Sequence, residues 1–318
     1  MPYSGSGTGH SSPIQRRADL VGAVARFSQR SYAADYIALC FLVLGWLLIE
    51  LFLTPFHRMF SLDNKSIQYP YAVHERVTVW WSIIYAGVIP FLIILAWSAM
   101  FRPGGQKTQV TILGLLVAIM LTTVLTDIVK NAVGRPRPDM LSRCKPTRGT
   151  ADNVLVAWTV CTQPNEHILQ EGWRSFPSGH SSLSFSGLGY LSLLPTVCAY
   201  SFFCGQMHVF RPRTDLGRCL FAFSPLLCAM LVAISRVDDY RHDVWDVTCG
   251  SILGMLVAWF SYRRYYPPLR STQCDVSYDK ADFANTEGFG RLEDEERALS
   301  PVVSSSTREG TYQLADTH

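Results

Sequence analysis

Nearly uninterrupted apolar runs occupy residues 36–53, 77–100, 110–129, 181–204, 219–235 and 244–262, with short polar segments between them. The pattern switches between apolar and polar blocks instead of oscillating with a helical or strand period. A helix needs about 20 mostly apolar residues to cross the hydrocarbon core, and each run reaches or approaches that length. Buried helices of a large soluble protein are the alternative. Such helices are amphipathic and shorter, whereas 77–100 and 181–204 are charge-free and apolar on every face. The pattern therefore predicts an all-α, polytopic membrane protein, a six-transmembrane-helix bundle over residues 36–266.

Composition agrees. Of 318 residues, 48% are hydrophobic and only 17% charged, with a mean hydropathy of +0.14, against about 25% charged in soluble domains. A net charge of +3 excludes the strong basicity of a nucleic-acid binder. The apolar content excludes disorder for the bulk of the chain. Residues 1–35 are Gly/Ser-rich and then basic, without the apolar core of a signal peptide, and read as a flexible cytoplasmic segment. Residues 267–318 carry an acidic excess, including Glu293-Asp294-Glu295-Glu296, and read as a disordered cytoplasmic tail. Cations near the spans balance evenly between the two sides, so the positive-inside rule does not orient the chain by itself. Setting aside those in the polar motifs described next puts both termini in the cytoplasm.

Three polar stretches fall on one face of the predicted bundle. Lys130 to Pro138 follows the third span, and its Gly134, Pro136 and Pro138 end the helix. Lys130 and Arg137 there are either a headgroup anchor or an anion site. Pro177-Ser178-Gly179-His180 opens the fourth span, where backbone N–H groups meet the positive end of the helix dipole. Ser235-Arg236…His242…Asp246 joins the last two spans. His242 and Asp246, four apart, share a helix face, so Asp246 is expected to accept from one imidazole nitrogen and leave the other nucleophilic. An ionisable residue inside a span also marks function by default, although Asp246 could simply complement the dipole. Two histidines with carboxylates are also a zinc donor set, but Lys130, Arg137 and Arg236 would repel a cation, so no metal or cofactor is expected. Together, Lys130, Arg137, Arg236 and the backbone at Ser178 and Gly179 suit the non-bridging oxygens of a phosphate. His242 would attack phosphorus and His180 would protonate the leaving oxygen, then activate water.

At these residues the chain resembles the type 2 phosphatidic acid phosphatase family, which includes the lipid phosphate phosphatases. The family pattern K-x6-R-P, P-S-G-H and S-R-x5-H-x3-D is matched by Lys130…Arg137-Pro138, Pro177-Ser178-Gly179-His180 and Ser235-Arg236…His242…Asp246. The resemblance covers about residues 36–266. It implies a six-helix membrane fold, magnesium-independent dephosphorylation through a phosphohistidine, and motifs facing a lumen or the exterior. The substrates implied are phosphatidate, lysophosphatidate or diacylglycerol pyrophosphate, with membrane lipids as the other partners and no nucleic acid. The loop Arg137-Pro138-Asp139, Cys144, Cys161 and Glu171-Gly172-Trp173-Arg174 looks most like that of fungal diacylglycerol pyrophosphate phosphatases. In an oxidising lumen Cys144 and Cys161 would form a disulfide over the phosphate site; free thiols are the alternative. Gly250 and Gly254 are spaced for close helix packing, within the bundle or between copies. Competing functions are a polyisoprenyl diphosphate or sphingoid-base phosphate phosphatase, a catalytically silent lipid-binding scaffold, and a vanadium haloperoxidase, a soluble class that six spans argue against. Vacuolar, Golgi and plasma membranes all remain open as the location, and oligomeric state is undetermined.

Overall fold

A computed structural model describes residues 32–194, 216–269, 274 and 276–278. Its helices are α1 (Ala33–Phe52), α2 (Val79–Phe101), α3 (Gly105–Val133), α4 (Met140–Cys144), α5 (Glu166–Glu171), α6 (Gly179–Leu193), α7 (Leu216–Asp238) and α8 (Val244–Tyr265). Among the described residues β structure is limited to two isolated bridges, Phe60 with Val156 and Pro146 with Cys161. The fold is all-α, as expected. Five helices, α1, α2, α3, α7 from Leu220 and α8, are long and apolar enough to cross a membrane. The expected fourth span appears as α6, described for 15 residues; residues 195–204 of that run lie outside the described residues, as do most of the N-terminal segment and most of the acidic tail.

Helix α6 is the centre of the bundle and packs on α2, α3, α7 and α8. Its sequence explains the position. Ser181, Ser182, Ser184, Ser186, Gly187 and Gly189 are buried, and small residues let backbones approach closely where lipid supplies no hydrophobic drive between helices. Hydroxyls link it to α3, with Thr122 Oγ1 donating to Ser186 Oγ at 2.9 Å and Thr126 Oγ1 2.9 Å from Ser182 Oγ. A Cβ on Gly254 would run into the Ser182 carbonyl, and one on Gly250 would meet the Ser178 carbonyl at 2.6 Å. The α8 glycine pair thus serves packing inside the bundle. The outer faces carry exposed apolar side chains such as Leu44, Leu51 and Leu256, as lipid contact requires. Exposed Trp80, Trp81 and Trp245 sit at the starts of α2 and α8, a level suited to an interfacial aromatic belt.

Helix α2 is not regular. Thr78 caps it by accepting from the Trp81 amide at 3.5 Å, and Ile84–Val88 form a π turn. The cause is local. Pro90 lacks an N–H and its ring would clash with the carbonyl four residues back, that of Ala86; a π turn opens the ladder at that point. Ala86 is fully buried, and a Cβ on Gly187 of α6 would overlap its carbonyl oxygen.

The segments 53–78 and 134–178 form a cap over one end of the bundle. Its own core holds Phe60, Ile67, Met140, Cys144, Leu169 and Trp173. Cys144 and Cys161, 17 residues apart, are joined by a disulfide. Closing a loop of that size removes unfolded-state entropy worth about 3 kcal/mol in a chain-entropy model. Protein extracted under non-reducing conditions should therefore shift in gel mobility on reduction, and Cys144→Ser or Cys161→Ser should abolish the shift. A shift that survives either substitution would contradict the pairing. At the opposite end the chain turns back on α8, the Tyr278 amide donating to the Tyr265 carbonyl at 3.0 Å and the Tyr262 hydroxyl to the Cys274 carbonyl at 3.1 Å.

Candidate active site

Under the cap, where α3 ends and α6 and α8 begin, lies a cavity of about 480 Å³. Lys130, Arg137, Gly179, His180, Arg236 and His242 all line it. Residues from three separated stretches therefore converge on one space.

Lys130 stands on the last turn of α3, its Nζ 3.6 Å from Asp127 Oδ1. Gly134 ends the helix with φ +56°, in the left-handed region that favours glycine, and a Cβ there would also strike the Phe56 carbonyl. Past this stop, the Arg137 amide donates to the Gly172 carbonyl at 2.8 Å and its Nη2 pairs with Glu171 Oε2 at 2.8 Å. Arg236, at the end of α7 and 1% exposed, pairs through Nη1 with Glu75 at 2.9 Å and through Nη2 with Asp239 at 2.7 Å. A Cβ on Gly179 would lie 2.7 Å from the Lys130 ammonium; glycine here makes room for the cation.

Two expectations are corrected. Ser178 does not line the cavity: its side chain is fully buried, its amide donates to the Asp246 carbonyl at 2.9 Å, and its Oγ accepts from Ser181 at 3.1 Å. It braces α6 against α8, leaving Gly179 at the wall. Asp246 meets the imidazole only loosely, its Oδ2 3.8 Å from His242 Nδ1, and is not the partner closest to that nitrogen. The reason is helix capping. Asp246 closes a capping box with Asp243, accepting the Asp243 amide at 3.0 Å, and it also takes Arg135 Nη1 at 2.6 Å and Ser175 Oγ at 2.6 Å. His242 Nδ1 instead lies 2.8 Å from the Ser175 carbonyl. A carbonyl only accepts, so Nδ1 carries the proton and Nε2 keeps its lone pair. Burial lowers the His242 imidazole to about 4, with the nearby Asp246 carboxylate opposing that shift, so the ring is neutral at pH 7. His180 Nε2 is buried without a protein partner, on a ring that faces the cavity.

Ser175, Arg135 and the carboxylates Glu75, Glu171 and Asp239 were not anticipated. Arg135 was findable, as a cation two residues before Arg137; Ser175 acts on His242 through a backbone carbonyl, which no residue type announces. The wall bears the cations Lys130, Arg137, Arg143, Arg174, Arg236 and Arg241 against the carboxylates Glu50, Glu75, Asp127 and Glu171, a surplus suited to a phosphate dianion. Burial alone would raise the Glu171 carboxyl, but Arg137 and Arg174 outweigh it and hold it at about 2. The guanidinium groups of Arg143 and Arg241 both lie over the Tyr71 ring, at 4.8 and 4.6 Å from its centroid.

Residues 111–269 match the PAP2 superfamily model. The chain is 35% identical over 257 residues to the probable diacylglycerol pyrophosphate phosphatase 1 of Schizosaccharomyces pombe, covering 80% of this chain and 88% of that protein. It is 42% identical over 219 residues to diacylglycerol pyrophosphate phosphatase 1 of Saccharomyces cerevisiae, covering 68% and 73% respectively. With lipid phosphate phosphatase 2 of Arabidopsis thaliana the identity is 36% over 247 residues, covering 77% and 79%. Together with the converging motifs, these matches establish that the chain belongs to the PAP2 superfamily.

Proposed function

We propose that this protein is an integral-membrane, magnesium-independent lipid phosphate phosphatase acting on phosphatidate, lysophosphatidate or diacylglycerol pyrophosphate. The observation that carries the reading is the meeting of His180, His242, Lys130, Arg137 and Arg236 on one cavity at the membrane end of the bundle. The names of the relatives support the substrate class.

In this reading the lysine and the two arginines, with the Gly179 backbone, hold the non-bridging oxygens and stabilise charge at phosphorus. His242 Nε2 attacks, forming an N–P bond as the P–O bond to the leaving group breaks. His180 gives a proton to that departing oxygen, then takes one from the water that cleaves the phosphohistidine. Arg137 and Arg236 hold carboxylates where phosphate would bind, so substrate binding exchanges carboxylate contacts for phosphate ones. The active site faces a lumen or the exterior and both termini face the cytoplasm. The Cys144–Cys161 bond supports that orientation, because disulfides persist in oxidising compartments.

Purified protein in detergent should release phosphate from glycerolipid phosphates at the same rate in excess EDTA and should be inhibited by vanadate, which adopts the five-coordinate geometry of the transition state. Loss of activity in EDTA that magnesium restores would overturn the cation-only scheme. A panel including polyisoprenyl diphosphate and sphingoid-base phosphate tests the substrate class.

A further inference from the structure

The cavity does more than hold phosphate. Beside the cations it is bounded by Val79 and Ser82 of α2, Thr123 of α3 and Leu183 of α6, a wall of apolar groups and small hydroxyls. The hydroxyls differ in one respect. Thr123 Oγ1 donates to the Ile119 carbonyl at 2.9 Å, and Thr126 and Ser182 engage each other at 2.9 Å. Ser82 Oγ is buried, on a residue 2% exposed, and has no hydrogen-bond partner. A buried hydroxyl without a partner is costly and calls for an explanation.

The backbone supplies a second, independent observation. Ser82, Ala86, Pro90, Ile94 and Trp97 are the buried positions along α2, the first four of them at intervals of four. In a helix of 3.6 residues per turn, that spacing drifts steadily around the axis. The π turn at Ile84–Val88 widens one turn and absorbs part of the drift. Ser82 thus stays on the inner face while Ala86 remains locked on α6. Bulges of this type recur at functional sites. Depth is also suitable. Ser82 is three residues inside the start of α2 and Lys130 three residues before the end of α3. These two helices run antiparallel, with Ser98 Oγ 2.7 Å from Thr108 Oγ1, so Ser82 is level with about Val124 of α3 and its backbone lies roughly 9 Å deeper in the bundle than that of Lys130. In a glycerolipid the ester carbonyls sit next to the phosphate, at the edge of the hydrocarbon.

We infer that Ser82 forms a linker subsite that donates a hydrogen bond to an acyl ester carbonyl of the substrate, selecting ester-linked glycerolipid phosphates. The inference rests on the phosphatase reading and names its substrate class more narrowly. Thr123 and Leu183 form the adjoining wall along which the first methylenes of the acyl chain run. A hydroxyl turned back on the carbonyl of Thr78, four residues earlier, is the competing arrangement, and it predicts no dependence on the linkage.

The test compares dioleoyl phosphatidate with its dialkyl ether analogue, which keeps the phosphate and the chains but lacks the carbonyls. Wild-type protein should prefer the ester in kcat/KM by about fivefold, the worth of one net hydrogen bond. Ser82→Ala should bring the ratio to about one by slowing the ester substrate, and Ser82→Thr, which keeps the hydroxyl, should retain the preference. Equal wild-type rates on the two lipids, or a preference that survives in Ser82→Ala, would overturn the subsite while leaving the phosphatase reading intact. Absence of phosphate release from either lipid by the wild type would instead overturn that reading.

Discussion

Replacing His242 with alanine should reduce phosphate release from lipid substrates on the order of 10⁴-fold or more, with the protein still recovered in the membrane fraction. The size follows from the covalent route. Removing the only atom that bonds to phosphorus leaves the cations to polarise a substrate that nothing attacks. His180→Ala should cost less, about 10²- to 10⁴-fold, because alkoxide departure without a proton is slowed but not forbidden. In this variant the phosphohistidine should persist, since hydrolysis also needs His180. Acid-stable assays would miss it, so protein-bound phosphate must be measured at alkaline quench. The pH profile adds an independent check. An imidazole nucleophile works only when neutral. Burial lowers His242 to about 4, so falling pH protonates it only near that value. Its acid limb in kcat should therefore lie well below the value of about 6.5 for an ordinary histidine. Wild-type rates in His242→Ala, or an acid limb from His242 near 6.5, would remove His242 from its assigned role, and wild-type rates in His180→Ala would do the same for His180.

Much of the architecture could be read from apolar run lengths, because a bilayer demands nearly continuous apolar surface and leaves few alternatives. The glycines were legible in kind but not in use. The spacing of Gly250 and Gly254 announced a close approach, and only the position of the Ser178 and Ser182 carbonyls showed that the approach is to α6. The π turn in α2 was not legible, since Pro90 permits either a kink or a widened turn and packing on Gly187 decides between them. In the site, the cations and histidines were visible because their charges have no bland reason to cluster at a membrane surface. Their carboxylate partners were not. Glu75 is 161 residues from Arg236 and Glu171 is 34 from Arg137, and separations so different carry no information on which cation each carboxylate meets. The orientation of His242 escaped for a different reason. The i, i+4 rule does not apply as expected, because α8 starts at Val244 and His242 precedes its cap Asp243; a residue at the third position of a helix is also a capping partner, and that demand turned the Asp246 carboxylate toward the Asp243 amide.

Asp246→Ala should lower kcat by about 100-fold or more, nearly 3 kcal/mol of lost transition-state stabilisation, with a smaller change in KM. The substitution removes at once the acceptor for Arg135 Nη1, Ser175 Oγ and the Asp243 amide. Arg135 and the buried Ser175 hydroxyl are then left without it, and α8 loses half of its capping box, worth about 1 kcal/mol. The segment that carries the Ser175 carbonyl is no longer held, and with it goes the contact that sets the His242 tautomer. Asp246 is thus a positioning residue that acts through Ser175. Ser175→Ala separates this route from direct contact, because it deletes the hydroxyl but retains the carbonyl. If Asp246 works mainly by holding the loop through several contacts, Ser175→Ala should cost only about threefold to tenfold, the range of one hydrogen bond. Arg135→Ala, which leaves the Asp246 charge but removes its strongest partner, should fall between the two. The pH profile supplies a readout that bulk destabilisation would not move. In Asp246→Ala the loss of the nearby negative charge removes an influence that raises the imidazole pKa. The acid limb should therefore move lower still, while the rate plateau drops. A full loss in Ser175→Ala, equal to that of Asp246→Ala, would place the entire effect in that one hydroxyl; an acid limb that rises in Asp246→Ala would refute the electrostatic part of the account.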